Sequence, residues 1–183
     1  MKRILFLAAV LCLSTVAAFS QGKPTDFSGG WVLDIPQSQI SERMRIESMT
    51  MTVAQTDKEL KVTTETRRPA PPAEAAQATP GAPGRGRGGF GGDGTVAYSL
   101  DGKESVVEVD GPNGKMPIKY TGKIDGGKAN LSSSRSISGP QGELTVTTKD
   151  VWSLSPDGKT LTVVREQVTP RGTNSSTLVF VKK

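Results

Sequence analysis

The side chains of this chain that could do chemistry are few. There is no histidine, which removes His-based acid–base pairs, His-based triads and most transition-metal sites. The one cysteine, Cys12, lies inside an apolar run near the start. Ser132-Ser133-Ser134 supplies hydroxyls, but no lysine stands at a spacing that suggests a serine–lysine pair. Glycoside hydrolysis needs two acids converging on a cleft, and Asp150 is the one acid that the strand register below places inward. The Asp-Gly turns lack the longer loop of oxygen ligands that calcium needs, and no helix follows the Gly-rich turns as a phosphate site requires. What remains is a set suited to recognition: Arg165, Asp150, Arg135, Tyr98 and Tyr120. A guanidinium can grip a carboxylate, a carboxylate can hold that guanidinium in place, and phenols can offer hydroxyls inside a cavity. The expectation is a non-catalytic binding protein with no cofactor and no metal.

These residues need elements that turn them toward one another, and the apolar pattern supplies strands. Apolar residues recur at every second position in Met49-x-Met51-x-Val53, Leu60-x-Val62, Val96-x-Tyr98-x-Leu100, Val107-x-Val109 and Met116-x-Ile118-x-Tyr120. The same alternation runs through Leu144-x-Val146, Trp152-x-Leu154, Leu161-x-Val163 and Leu178-x-Phe180. A period of two buries one face of a strand. Turn-forming clusters separate the runs, among them Asp101-Gly102, Asp125-Gly126-Gly127, Pro156-Asp157-Gly158 and Pro170-Arg171-Gly172. The one helical period is faint and spans Gln37 to Ser48.

Tight turns fix a register. With Asp157-Gly158 at a hairpin tip, Leu154 faces Leu161, Trp152 faces Val163, and Asp150 faces Arg165. With Thr169 to Gly172 closing the next hairpin, Leu161 faces Phe180, Val163 faces Leu178, and Arg165 faces Ser176. Loops of similar length align Ile137 with Leu144, Val107 with Ile118, and Tyr98 with Val107. A slip of one residue would send each apolar set to the wrong face. The predicted fold is an all-β, antiparallel up-and-down meander of about 9–10 strands. Closure into a barrel removes its exposed edges; a β-sandwich is the alternative. The opposite face carries Glu143, Thr145, Thr147, Lys149, Thr160 and Thr162, with Val164 as the exception. That face belongs in water, unlike the apolar outer band of a membrane barrel.

The compartment follows from the first residues. Lys2 and Arg3 precede an apolar run from Ile4 to Val16, and the small residues Ala17 and Ala18 follow. This is the layout of a signal peptide over residues 1–20, cleaved near Ala18 or Ser20. The run is too short to span a bilayer, and Leu11 ahead of Cys12 does not suit lipid attachment. The expectation is a periplasmic or secreted protein with a single domain over residues 21–183, no membrane span and no disulfide. Without Lys2 and Arg3, 21 basic residues face 18 acidic ones, a mild net charge of +3. The composition breaks between residues 67 and 94, where Pro, Ala and Gly dominate, and a disordered loop is predicted. Arg85-Gly86-Arg87-Gly88-Gly89-Phe90 within it is similar to an RGG element. Two arginines neutralise few phosphates, so no nucleic acid is expected as a partner.

Asp26-Phe27-Ser28-Gly29-Gly30-Trp31-Val32-Leu33-Asp34 resembles the first-strand motif of the lipocalin and fatty-acid-binding superfamily, an aromatic residue followed by Gly-x-Trp. The resemblance implies a lipocalin-like closed barrel in which Gly29 is the motif glycine and Trp31 plugs one end. It further implies an arginine packed over the Trp31 ring, for which Arg165 and Arg135 are the candidates. Trp152-Ser153-Leu154-Ser155-Pro156-Asp157-Gly158-Lys159-Thr160-Leu161-Thr162-Val163, taken with the first motif, is similar to small exported bacterial proteins of uncharacterised role. Gly29, Trp31 and Trp152 are thus structural residues of the expected fold. The expected partner is a small apolar ligand inside the barrel or, alternatively, an envelope protein outside a side-chain-filled barrel, with the chain itself monomeric.

Overall fold

The computed structural model describes residues 25–41, 45–69, 93–111, 114–139 and 142–183. The expected signal peptide and most of the Pro/Ala/Gly-rich segment lie outside the described residues. Every regular element among the described residues is a β-strand: β1 (Gly29–Leu33), β2 (Ser48–Gln55), β3 (Glu59–Arg67), β4 (Gly94–Ser99), β5 (Ser105–Gly111), β6 (Gly114–Asp125), β7 (Lys128–Gly139), β8 (Gly142–Leu154), β9 (Thr160–Thr169) and β10 (Gly172–Lys182). No helix among them is long and apolar enough to cross a membrane.

The ten strands form one antiparallel sheet in the order β4-β3-β2-β1-β10-β9-β8-β7-β6-β5. Every neighbouring pair is consecutive along the chain except β1 with β10, whose pairing joins the two runs of the meander into a single sheet. The registers read from the turns hold for β8–β9 and β9–β10: Asp150 pairs with Arg165, Trp152 with Val163, Val163 with Leu178, and Leu161 with Phe180. Ile137 pairs with Leu144, and Val107 with Ile118, also as expected. Trp152, Val163 and Leu178 therefore stand side by side, and the strand periodicity has become a wall.

The pairing of Tyr98 with Val107 is not formed. Tyr98 pairs with Leu60 on β3, and β4 and β5 occupy opposite ends of the sheet. The segment between them is not a tight hairpin. Asp101 Oδ1 accepts from Ser99 Oγ (2.7 Å) and from Lys103 N (2.9 Å), and Gly102 takes a φ of +77° that suits glycine. This turn carries the chain across to β6, where Asp101 bridges Lys123 and Gly102 N donates to Gly122 O. Gly122 makes that approach possible. A Cβ there would stand 2.9 Å from the Ser99 carbonyl oxygen and 2.9 Å from Tyr98 Cβ. The sheet thus curls into a nearly closed barrel, with β4 laid against β6 and β5 continuing beyond.

The faint helical period over Gln37–Ser48 does not become a helix in its described part. Ser38 N returns to Ile35 O in a turn, and Gln39 and Thr177 exchange two backbone hydrogen bonds. Ser38 Oγ accepts from Val179 N at 2.9 Å. The edge of β10 satisfies this backbone, so the segment gains nothing from forming its own i→i−4 bonds.

The core is densest at the Trp31 end. Phe27, Trp31, Leu33, Met51, Val53, Leu60, Leu161, Leu178 and Phe180 are all buried. Fully burying each large apolar side chain is worth roughly 1.5–3 kcal/mol. Trp31 Nε1 donates to the Phe27 carbonyl at 3.0 Å, and the Phe27 ring meets Trp152 edge-on at 6.1 Å. The plug is therefore an aromatic cluster in which the Trp31 indole N–H is satisfied. On the outer face Val164 is 49 % exposed, the exception that the sequence pattern marks.

Candidate functional site

Above this floor the inward face changes character. Asp150 on β8 and Arg165 on β9 are directly opposed. Arg165 Nε donates to Asp150 Oδ1 at 2.6 Å, and Nη2 donates to Oδ2. The carboxylate side chain is 6 % exposed and the guanidinium 15 %. Two parallel hydrogen bonds and opposite charge are what allow such groups to leave water. Burial alone would depress the Arg165 guanidinium, but the Asp150 carboxylate outweighs it and holds the group above its ordinary value. Arg165 stays charged.

Two tyrosines complete the cluster. Tyr98 on β4 and Tyr120 on β6 meet edge-on, with ring centroids 5.5 Å apart. Burial, and then the Asp150 carboxylate, push the Tyr98 hydroxyl well above the usual phenol range. Burial also raises Tyr120, against the pull of nearby Arg135. Arg135 on β7 pairs with Ile118 and Val146, on the same inward row. Tyr98 thus lies near Asp150, Arg165 and Tyr120, while Arg135, beside Tyr120, lies two inward rows beyond the Asp150–Arg165 row. Ser176 stands beside Arg165, and Ser133 beside Tyr120.

A cavity of about 30 Å³ lies at this junction. Arg165, Trp152, Val163, Leu178 and Phe180 form one side of its lining, and Met49, Met51 and Thr64 the other. About 10–15 Å³ of such volume holds one water, so the space is that of a water or two. Met49, Met51 and Thr64 were not among the residues expected at the site. The period-two run at Met49 and Met51 places them inward, but which inward residues face each other across a barrel depends on its curl. Trp152 lines the cavity and also belongs to the core through Phe27.

The cation over Trp31 differs from expectation. Lys182 Nζ lies 5.3 Å from the Trp31 ring centre, and Trp31 pairs directly with Lys182 between β1 and β10. Arg165 is committed to Asp150, and Arg135 lies beside Tyr120. The register decides the matter, because β10 runs its C-terminal end alongside β1 and brings its last cation to the ring. Gly29 has a φ of +138°, and a Cβ on it would come within 2.9 Å of the Lys182 stem. The backbone conformation favours glycine there, and a Cβ would also displace the end of the Lys182 side chain. Among the described residues no group of three acidic or other metal-ligating side chains converges.

No protein-family model matches the chain, and no curated protein sequence matches it. Among solved structures, a secretory abundant heat soluble protein from Ramazzottius varieornatus superposes with a TM-score of 0.51 at 10 % identity, covering 88 % of this chain and 98 % of its own. A zebrafish ileal bile acid-binding protein complexed with cholic acid matches with a TM-score of 0.49 at 16 % identity, covering 86 % of this chain and 98 % of its own. The fold is the lipocalin-like, calycin-type barrel.

Proposed function

We propose that the protein is an exported, non-catalytic barrel that binds a small apolar or amphipathic molecule in its interior. One observation carries this reading: a buried ion pair, Asp150–Arg165, stands beside a cavity whose remaining wall, Thr64 apart, is apolar or aromatic and includes two methionines. Polar groups at one point of an apolar hollow orient a guest, and the apolar wall holds it. Drug-sized sites commonly measure about 300 Å³ or more, so a guest must move side chains aside. Met49 and Met51 are suited to that, since methionine is unbranched and adapts its shape. The bile acid named in the zebrafish structure belongs to that protein; for this chain the ligand class rests on the cavity lining.

The small cavity volume favours a second reading, in which side chains fill the barrel and the outer surface meets an envelope protein. Native mass spectrometry of protein purified from the compartment where it accumulates separates the two. A co-purifying small molecule supports the carrier, and a co-purifying protein supports the interaction module. Export itself is tested by the mature N-terminus, expected just after Ala18 or Ser20.

A further inference from the structure

The residues around the cavity carry a neutral hydrogen-bond donor that a guest reaches only by moving side chains aside. The cavity's cation is already neutralised, because Asp150 holds Arg165 through two parallel hydrogen bonds. Trp152 is 3 % exposed, and its Nε1–H is buried with no hydrogen-bond partner among the described residues. The other tryptophan shows the usual solution, since Trp31 Nε1 donates to a carbonyl. Thr66 Oγ1 is buried and unpartnered in the same way. It lies two residues from the cavity-lining Thr64 on β3, directly opposite Met49. Native folds seldom leave such groups unpaired, because an unmade buried hydrogen bond costs the full desolvation of the group.

We propose, building on the carrier reading above, that the ligand is an uncharged amphiphile whose ester, amide or alcohol oxygen accepts a hydrogen bond from Trp152 Nε1. Its hydrocarbon part packs on Met49, Met51, Leu178 and Phe180. An anionic head group is disfavoured. It would bring an unbalanced negative charge close to Asp150 in a low-dielectric interior, where like charges repel strongly and desolvation is costly. A neutral oxygen meets no such penalty and satisfies a donor that folding leaves without a partner.

The test is calorimetric titration of the purified full-length mature protein with methyl decanoate, sodium decanoate and decane at pH 8. The ester is expected to bind at least about tenfold more tightly than the carboxylate, the worth of one buried hydrogen bond. Ester binding should shift the indole N–H resonance of Trp152 downfield, and decane should not. Trp152→Phe keeps an aromatic ring and should weaken the ester about tenfold more than it weakens decane. Thr66→Val serves the same purpose if Trp152→Phe does not fold. Equal or tighter binding of decanoate overturns the neutral-ligand proposal and leaves the carrier reading standing, as does ester affinity untouched by both substitutions. Failure of all three probes to bind overturns the carrier reading and this proposal with it.

Discussion

Asp150 and Arg165 face each other across adjacent strands and share two parallel hydrogen bonds in the interior of the barrel. Removing one partner strands the other charge away from water. Asp150→Asn or Arg165→Met alone should therefore destabilise the fold by about 3–5 kcal/mol. Replacing both together, as Asp150→Leu with Arg165→Met, should recover most of that loss, because well-packed apolar pairs replace buried ion pairs at little cost. Urea unfolding of the two single variants and the double variant closes the cycle, and additive losses would refute the coupling.

Burial beside the same pair gives the fold an alkaline limit through Tyr98. Burial and the Asp150 charge raise the folded-state pKa of Tyr98 above the ordinary 10.0. The fold therefore favours the protonated phenol. Its contribution is complete below pH 10 and is lost as pH rises past that value toward the folded-state pKa. The limiting slope is about 1.4 kcal/mol per pH unit. Tyr98→Phe should be less sensitive than wild type between pH 9 and pH 11 when urea midpoints are compared. Identical profiles would show that the hydroxyl ionises freely.

Inside and outside lie three residues apart along β9. Leu161 is fully buried, and Val164 is 49 % exposed. Leu161→Ala should cost about 2–5 kcal/mol, whereas Val164→Thr should stay within about 0.5 kcal/mol of wild type. Thermal unfolding of the two variants distinguishes them directly. Comparable losses would place the sheet in the opposite register.

Closure depends on a missing side chain. Gly122→Ala drives a methyl group toward the Ser99 carbonyl oxygen and Tyr98 Cβ, and backbone cannot swing aside as a flexible side chain can. A cost of about 1–3 kcal/mol is expected, with faster amide exchange at Gly102, whose N–H donates across the same contact. Unchanged exchange at Gly102 would mean that β4 and β6 are held elsewhere.

Much of the fold was legible because strand alternation and turn chemistry are local. The Asp157-Gly158 and Thr169–Gly172 turns set the rows that contain Trp152, Val163 and Leu178. The opposition of Asp150 and Arg165 followed from the same turns. Contacts between strands that are not consecutive were not legible. The Tyr98–Tyr120 stacking, the cavity wall of Met49 and Thr64, and Lys182 over Trp31 depend on how far the sheet curls. No hairpin count reports that curl. The Tyr98–Val107 pairing failed for this reason, since the chain between them crosses to β6 instead of folding back.

The junction of β1 with β10 also bears on how the molecule is made. Each other neighbouring pair in the sheet is consecutive along the chain, so hairpins can zip as they emerge, whereas this seam requires the two ends of the domain to meet. Closing so long a loop carries the largest entropic penalty of any pairing here, and non-local pairing slows folding. Until β10 is synthesised, Trp31 lacks both its neighbouring strand and its Lys182 cover, and the nascent chain carries an oily edge that a chaperone could hold. The last strand is the clasp of the barrel.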